Sequence, residues 1–128
     1  MPEFIPQYTP KNVNAFVRGY LDCAEWLLSE EDKERAELNI LDGWHDSAIE
    51  RATADCAAFE ESNAADLESY LAEHDDYRAG MDLWLSRNGH GAGFFDRGNG
   101  PTFTRLQDAA RGLGECDAYV GDDDSLYL

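Results

Sequence analysis

The sequence predicts an α+β domain of order ααββαββ: two N-terminal helical segments, a β-hairpin, a helix and a second β-hairpin. Its strands would form a small antiparallel sheet covered by helices. Three observations carry that prediction. An apolar stripe at helical spacing runs through residues 13–28, apolar and polar residues alternate over 81–86, and two short apolar runs flank Gly121-Asp122-Asp123-Asp124. With 128 residues, 43% of them hydrophobic, the chain has material for one packed core, so 1–128 reads as a single domain and not as a disordered segment.

Pro2, Pro6 and Pro10 keep the opening segment out of a helix and leave Asn12 placed to cap the first one. Val13, Phe16, Val17, Tyr20, Leu21, Ala24, Leu27 and Leu28 then recur on one helical face, giving a helix over 13–28. Ser29 to Asp46 mixes an acidic run with Gly43 and reads as a connection holding at most a turn of structure. Asp46 or Ser47 caps a second helix, whose apolar positions from Ile49 through Phe59 to Tyr70 and Leu71 carry it over about 47–74, with Asn63 a possible break.

After Gly80 the alternation Met81, Leu83, Leu85 against Asp82, Trp84, Ser86 has the period of a strand. Asn88-Gly89-His90-Gly91 supplies turn residues and Phe94-Phe95 a returning apolar run, so 84–97 reads as a hairpin. A helix from Pro101 to Leu113 has Pro in its first turn and Gly114 just past its end. Cys116–Val120 and Ser125–Leu128 form the closing hairpin. Helices 13–28 and 47–74 are expected to pack on a sheet containing 81–86 and 116–120, with Leu21 and Phe59 in the core.

No apolar stretch approaches the ~18 residues a membrane span needs, and the start lacks a basic region followed by an apolar run, so a soluble, unexported protein is expected. Cys23, Cys56 and Cys116 form no C-x-x-C pair and read as reduced core thiols of a cytoplasm. His45, His74 and His90 lie on three separate elements, and Asp122-Asp123-Asp124 lacks the rest of a calcium loop, so neither a metal site nor a cofactor is expected.

The charge is strongly acidic and unevenly placed. Against 27 Asp and Glu stand 10 Lys and Arg, a formal charge of −17, which repels a phosphate backbone and favours a basic partner. Residues 22–76 hold net −15, whereas 77–114 hold net +2. From Glu50 to Asp76 the net charge is −8 over about 40 Å of helix, or about one charge per 5 Å. A DNA strand carries about one per 3.4 Å. The helix alone is therefore a dilute imitation of a nucleic acid and approaches duplex density only with the acids of 30–46 folded beside it. The candidate partner-binding residues are Glu30, Glu31, Asp32, Glu34, Glu50, Glu60, Glu61, Glu68, Glu73, Asp75 and Asp76. The plainer reading of the same residues is a solvated face that keeps a small protein soluble.

The densest chemistry lies between Trp84 and Arg97. Arg87 and Arg97 could fork an anion with His90 as acid or base, or Arg87 and Asp96 could simply pair across a hairpin. With no second His or carboxylate at catalytic spacing, the second reading is preferred and no catalytic residue is assigned.

The run Asp82-Leu-Trp-Leu-Ser-Arg-Asn-Gly-His-Gly-Ala-Gly-Phe-Phe-Asp-Arg97 resembles the D-F-W-L-T-R-N-G-H-G-A-G-F-W-D-R signature of a family of small uncharacterised bacteriophage and prophage proteins. The resemblance extends to Phe16–Trp26, to Asp55-Cys56 with Phe59 and Asn63, and to Tyr119–Asp123. It implies a phage-type accessory protein acting in a bacterial host cytoplasm. Taken with the charge, the expected function is non-enzymatic: binding a basic, nucleic-acid-handling host protein, with the acidic half imitating nucleic acid and blocking a CRISPR or restriction system. The alternatives are a small ligand-binding domain or enzyme centred on Arg87–Arg97, and a structural phage protein whose acidity serves solubility. The pull of residues 22–76 on a basic partner distinguishes the first from the other two.

Overall fold

Helices dominate the computed structural model, which describes residues 8–38, 41–89, 92–98 and 100–128. Asn14, two residues later than expected, begins α1 (Ala15–Trp26): its Oδ1 accepts a hydrogen bond from the Val17 N–H at 2.9 Å. The Ser29–Asp46 connection contains a further helix, α2 (Glu30–Glu37), and strand β1 (Gly43–Trp44). Only Ala36 of α2 is buried, so no apolar stripe announces it. End effects hold it instead: the Ser29 hydroxyl accepts from the Asp32 N–H, Glu30, Glu31 and Asp32 sit at its positive end, and Arg35 sits in its last turn.

The long second helix is divided into α3 (Asp46–Ser62) and α4 (Ala64–Leu71) at Asn63, which leaves helical geometry while its side-chain amide donates to the Phe59 carbonyl. His45 caps α3, Nδ1 accepting from the Ser47 N–H. Phe59 and Leu21 are both core, at 2% and 0% exposure.

Residues 81–86 are not a strand. They lie inside α5 (Asp76–Arg87), started by Asp75, whose carboxylate accepts from the Arg78 N–H at 2.8 Å. The alternation misleads because the polar members Asp82 and Ser86 are buried along with Leu83 and Trp84. A helix enclosed on several faces shows no helical stripe, and two inward polar residues mimic the outward face of a strand. α1 also buries two polar residues, Asp22 and Glu25, but keeps a continuous apolar stripe through Phe16, Val17, Tyr20, Leu21 and Ala24. Between these two helices runs the most extensive helix contact of the domain. Gly19 and Gly80 permit it, since a Cβ on Gly19 would stand 1.9 Å from the Tyr77 carbonyl oxygen, and one on Gly80 1.9 Å from that of Phe16.

The expected first hairpin is thus replaced by the end of α5 and a short 3-10 helix over Phe94–Asp96, while His90 and Gly91 of the expected turn lie outside the described residues. α6 (Pro101–Gly112) follows, with Pro at its first position and Gly114 beyond its end at φ +81°. The sheet is small and mixed, in the order β1-β3-β2, where β2 is Tyr119–Val120 and β3 is Ser125–Tyr127. β3 pairs antiparallel with β2 and parallel with β1, Trp44 opposite Leu126. Among the described residues the ααββαββ order with its helix-covered antiparallel sheet is therefore replaced by six α-helices and a three-stranded mixed sheet. Among the described residues no helix is long and apolar enough to cross a membrane, and all three cysteines are buried and unbridged.

Candidate functional site

The chemically capable residues of 82–97 are turned inward. The Asp82 carboxylate, fully buried, accepts two bonds from Arg97 Nε at 2.9 and 3.1 Å and one from Nη2 at 2.9 Å. It also accepts the Tyr70 hydroxyl at 2.5 Å. Burial, and then that bond to a carboxylate, push the Tyr70 phenol well above its ordinary value.

Arg87 is equally committed. Its Nη1 donates to the Tyr20 hydroxyl at 2.8 Å and to Asp55 Oδ2 at 3.1 Å, while Nε and Nη2 donate to the carbonyls of Gly114 and Leu113 at the end of α6. The expected Arg87–Asp96 pair across a hairpin is absent, because Arg87 points into the helical core and the Asp96 carboxylate accepts from the Gly93 N–H. Ser86 donates to Gln107 and accepts from the Phe94 N–H. Gly93 is required beside it, since a Cβ there would stand 2.1 Å from Ser86 Oγ and its φ is +143°. This segment joins α5 to the 3-10 helix and α6; it does not present an anion fork. His90, the expected acid or base, lies outside the described residues.

The acidic residues expected to bind a partner fall into two groups. Glu30, Glu31 and Glu34 are exposed on α2, and Asp32 accepts from the Val120 N–H. An Arg35–Asp124 ion pair ties the same helix to the closing hairpin. The second group lies at the far end of α3, about 25 Å from its start at His45, whose ring stacks on Tyr127 of that hairpin. Here Glu61, Glu68, Glu73 and Asp76 are exposed, Glu60 is half-buried, and Asp75 caps α5. Glu50 is exposed on α3 between the groups. α2 is therefore fastened to the hairpin, and the acids of 30–34 do not double the charge density beside 60–76.

Glu60, Glu68 and Asp76 stand around one open groove of about 440 Å³, and no basic side chain lines it. Its apolar lining comes from Leu67, Leu71 and Ala64 of α4, with Ala72 beyond and Phe16 of α1. Burial, and after it the Asp76 charge, raise the Glu60 carboxyl above the ordinary carboxylate value. The sequence marks the carboxylates but not this apolar lining, which needs Glu60 of α3 and Asp76 of α5 brought beside α4. The only advance signal is the break at Asn63. Among the described residues no group of three or more His, Cys, Asp or Glu is placed to hold a metal ion. Comparison of the chain with protein-family models, with curated proteins and with solved structures gives no match.

Proposed function

We propose that this protein is a non-enzymatic binding protein that presents the carboxylates of α3, α4 and the start of α5 to a basic host protein whose own ligand is nucleic acid. By occupying that basic surface it would block a defence system such as a CRISPR effector or a restriction enzyme, in a bacterial cytoplasm. One observation carries the reading: Glu50, Glu61, Glu68, Glu73 and Asp76 are exposed with no basic partner among the described residues. Meanwhile the arginines that could have served an anion are bonded internally. Unpaired like charges destabilise a folded chain by mutual repulsion, and they speed association with a surface of opposite sign. The enzyme reading has less support, because Asp82, Ser86, Arg87 and Arg97 are consumed in holding helices together.

The test is capture from bacterial lysate on the immobilised protein at low salt. The captured protein should elute with moderate salt and should also be displaced by duplex DNA or RNA. The triple reversal Glu50→Lys, Glu61→Lys, Glu73→Lys should lose it while retaining its circular dichroism. Capture indifferent to salt, to nucleic acid and to that reversal would overturn the reading and leave the acidity as a solubilising face.

A further inference from the structure

The groove between α4 and the start of α5 differs from the rest of the acidic face. Elsewhere on these helices the carboxylates either stand in water, where an ion pair with a partner is worth little, or are already paired within the chain, Asp55 with Arg87 and Asp66 with Arg105. Here Glu60 is half-buried, and Glu60, Glu68 and Asp76 come from three different helices to surround an apolar floor. Such a site matches a side chain that is apolar along its stem and cationic at its tip. A volume of about 440 Å³ takes one or two side chains and not a folded element.

We propose that this groove receives an arginine of the partner protein, carried on a segment with apolar neighbours. The arginine stem would lie on Leu67 and Leu71 and its guanidinium would sit between Glu60 and Asp76. Arginine fits better than lysine, because a planar, weakly hydrated guanidinium gives up less solvation in a partly buried site and bonds two carboxylates at once. The proposal rests on the binding function above and deepens it: the wide acidic face attracts, and the groove selects. Charge complementarity is the argument for the occupant, since three carboxylates gather with no cation of the chain among the lining residues.

The test uses the whole chain, 15N-labelled, and two synthetic probes, acetyl-Leu-Arg-Leu-Arg-Leu-amide and acetyl-Gly-Arg-Gly-Arg-Gly-amide, with spermidine as a third. The leucine-containing peptide should bind at least fivefold more tightly than the glycine-containing one and should shift the amides of Ala64, Leu67, Leu71 and Ala72. Leu71→Ser, at a position 37% exposed, should erase that difference without unfolding the chain. Glu68→Gln should weaken the leucine peptide at least threefold, and serves as the reserve variant if Leu71→Ser is unstable. Equal affinity for the two peptides, or shifts spread over α2 and α3, would overturn the groove while leaving the acidic-face function standing. Spermidine binding as tightly as the leucine peptide would also overturn it, by making the site one for free polyamines. Conversely, a partner whose capture survives the Glu50, Glu61 and Glu73 reversals would sink the acidic-face function without touching the peptide result.

Discussion

Gly19 and Gly80 face one another's helices so closely that the missing Cβ of each lies within 2 Å of a carbonyl oxygen across the contact, Tyr77 for the one and Phe16 for the other. Neither obstacle is a flexible side-chain end. Backbone must move to admit even a methyl group, and the helices that would move carry Tyr20, Leu21, Leu83 and Trp84 into the core.

Gly80→Ala should therefore destabilise the protein by about 3 kcal/mol or more, at or above the usual range for overpacking, although alanine is the better helix former. Gly112→Ala, where nothing lies within 4 Å, should be neutral or stabilising by up to about 1 kcal/mol. Urea denaturation of the two variants checks the contrast, and a Gly80→Ala protein as stable as the parent would contradict the described contact.

Asp82→Asn should cost about 3 kcal/mol, near the lower end for breaking a buried ion pair, since the Arg97 side chain keeps 23% exposure and recovers some hydration. Tyr70→Phe removes one bond to the same carboxylate and should cost about 1.5–3 kcal/mol. The two effects should fall short of additivity in the double variant, because both remove bonds of one carboxylate. Additive losses would mean that the three side chains do not act as one network.

Stability should fall steeply in alkali. Burial pushes the Cys23 thiol up to about 12 and raises Cys56, Tyr20 and Tyr77 as well. In the unfolded chain thiols ionise near about 8.5 and phenols near about 10. A folded value raised above the unfolded one gives stability that is whole below the unfolded value and is lost as pH rises toward the folded one. Loss should thus begin above about pH 8.5, where the unfolded thiols ionise, and continue through pH 12. Phenolate absorbance from the buried tyrosines should appear in the same step as loss of helical dichroism. Phenolate absorbance from all six tyrosines near pH 10 with the helices intact would show that these rings are not buried.

Glu60→Gln should stabilise the protein at neutral pH, solvent screening holding the gain below about 0.5 kcal/mol, while weakening the arginine peptide, because it removes a charge that burial disfavours and Asp76 repels. The raised carboxyl gives stability that is present below the ordinary carboxylate value and lost above it. The gain should accordingly vanish as pH falls toward about 4, where Glu60 is itself neutral. Thermal melts at two pH values, paired with the peptide titration, measure both halves.

Phe59, stacked on Phe94 at 5.7 Å between ring centres, joins α3 to the 3-10 helix. Phe59→Ala should cost about 3–5 kcal/mol, measured by urea denaturation. A loss under about 1 kcal/mol would show that the stack is dispensable.

Elements that obey one rule at a time were legible in the residues. α6 has its Pro at the first position, its buried Leu106 and Ala110 on one side and Gly114 after it. Phe59 and Leu21 stand at apolar positions of regular stripes. α5 was not legible because its pattern serves two ends: Asp82 and Ser86 are polar by type and interior by place, so their partners Arg97 and Gln107 have to be known first. Asp75 caps α5 and Arg87 sits in its last turn, but the alternation over 81–86 has the period of a strand. α2 was missed for the opposite reason, having almost nothing to bury. The acids of the candidate site could be read from composition, whereas the groove they surround depends on how α3, α4 and α5 meet at Asn63 and Asp75.

β3 lies in the middle of its sheet, yet it is the last of the three strands to be synthesised. On a growing chain, Gly43 and Trp44 emerge long before Ser125 and Leu126, the residues they pair with. α1 and α5, by contrast, need only the residues up to Arg87. β1 and β2 are thus joined only through β3, the second strand of the closing hairpin. The pairing of Trp44 with Leu126 spans 82 residues, and contacts so distant along the chain are slow to form, so until β3 docks the backbone of β1 stands unpaired.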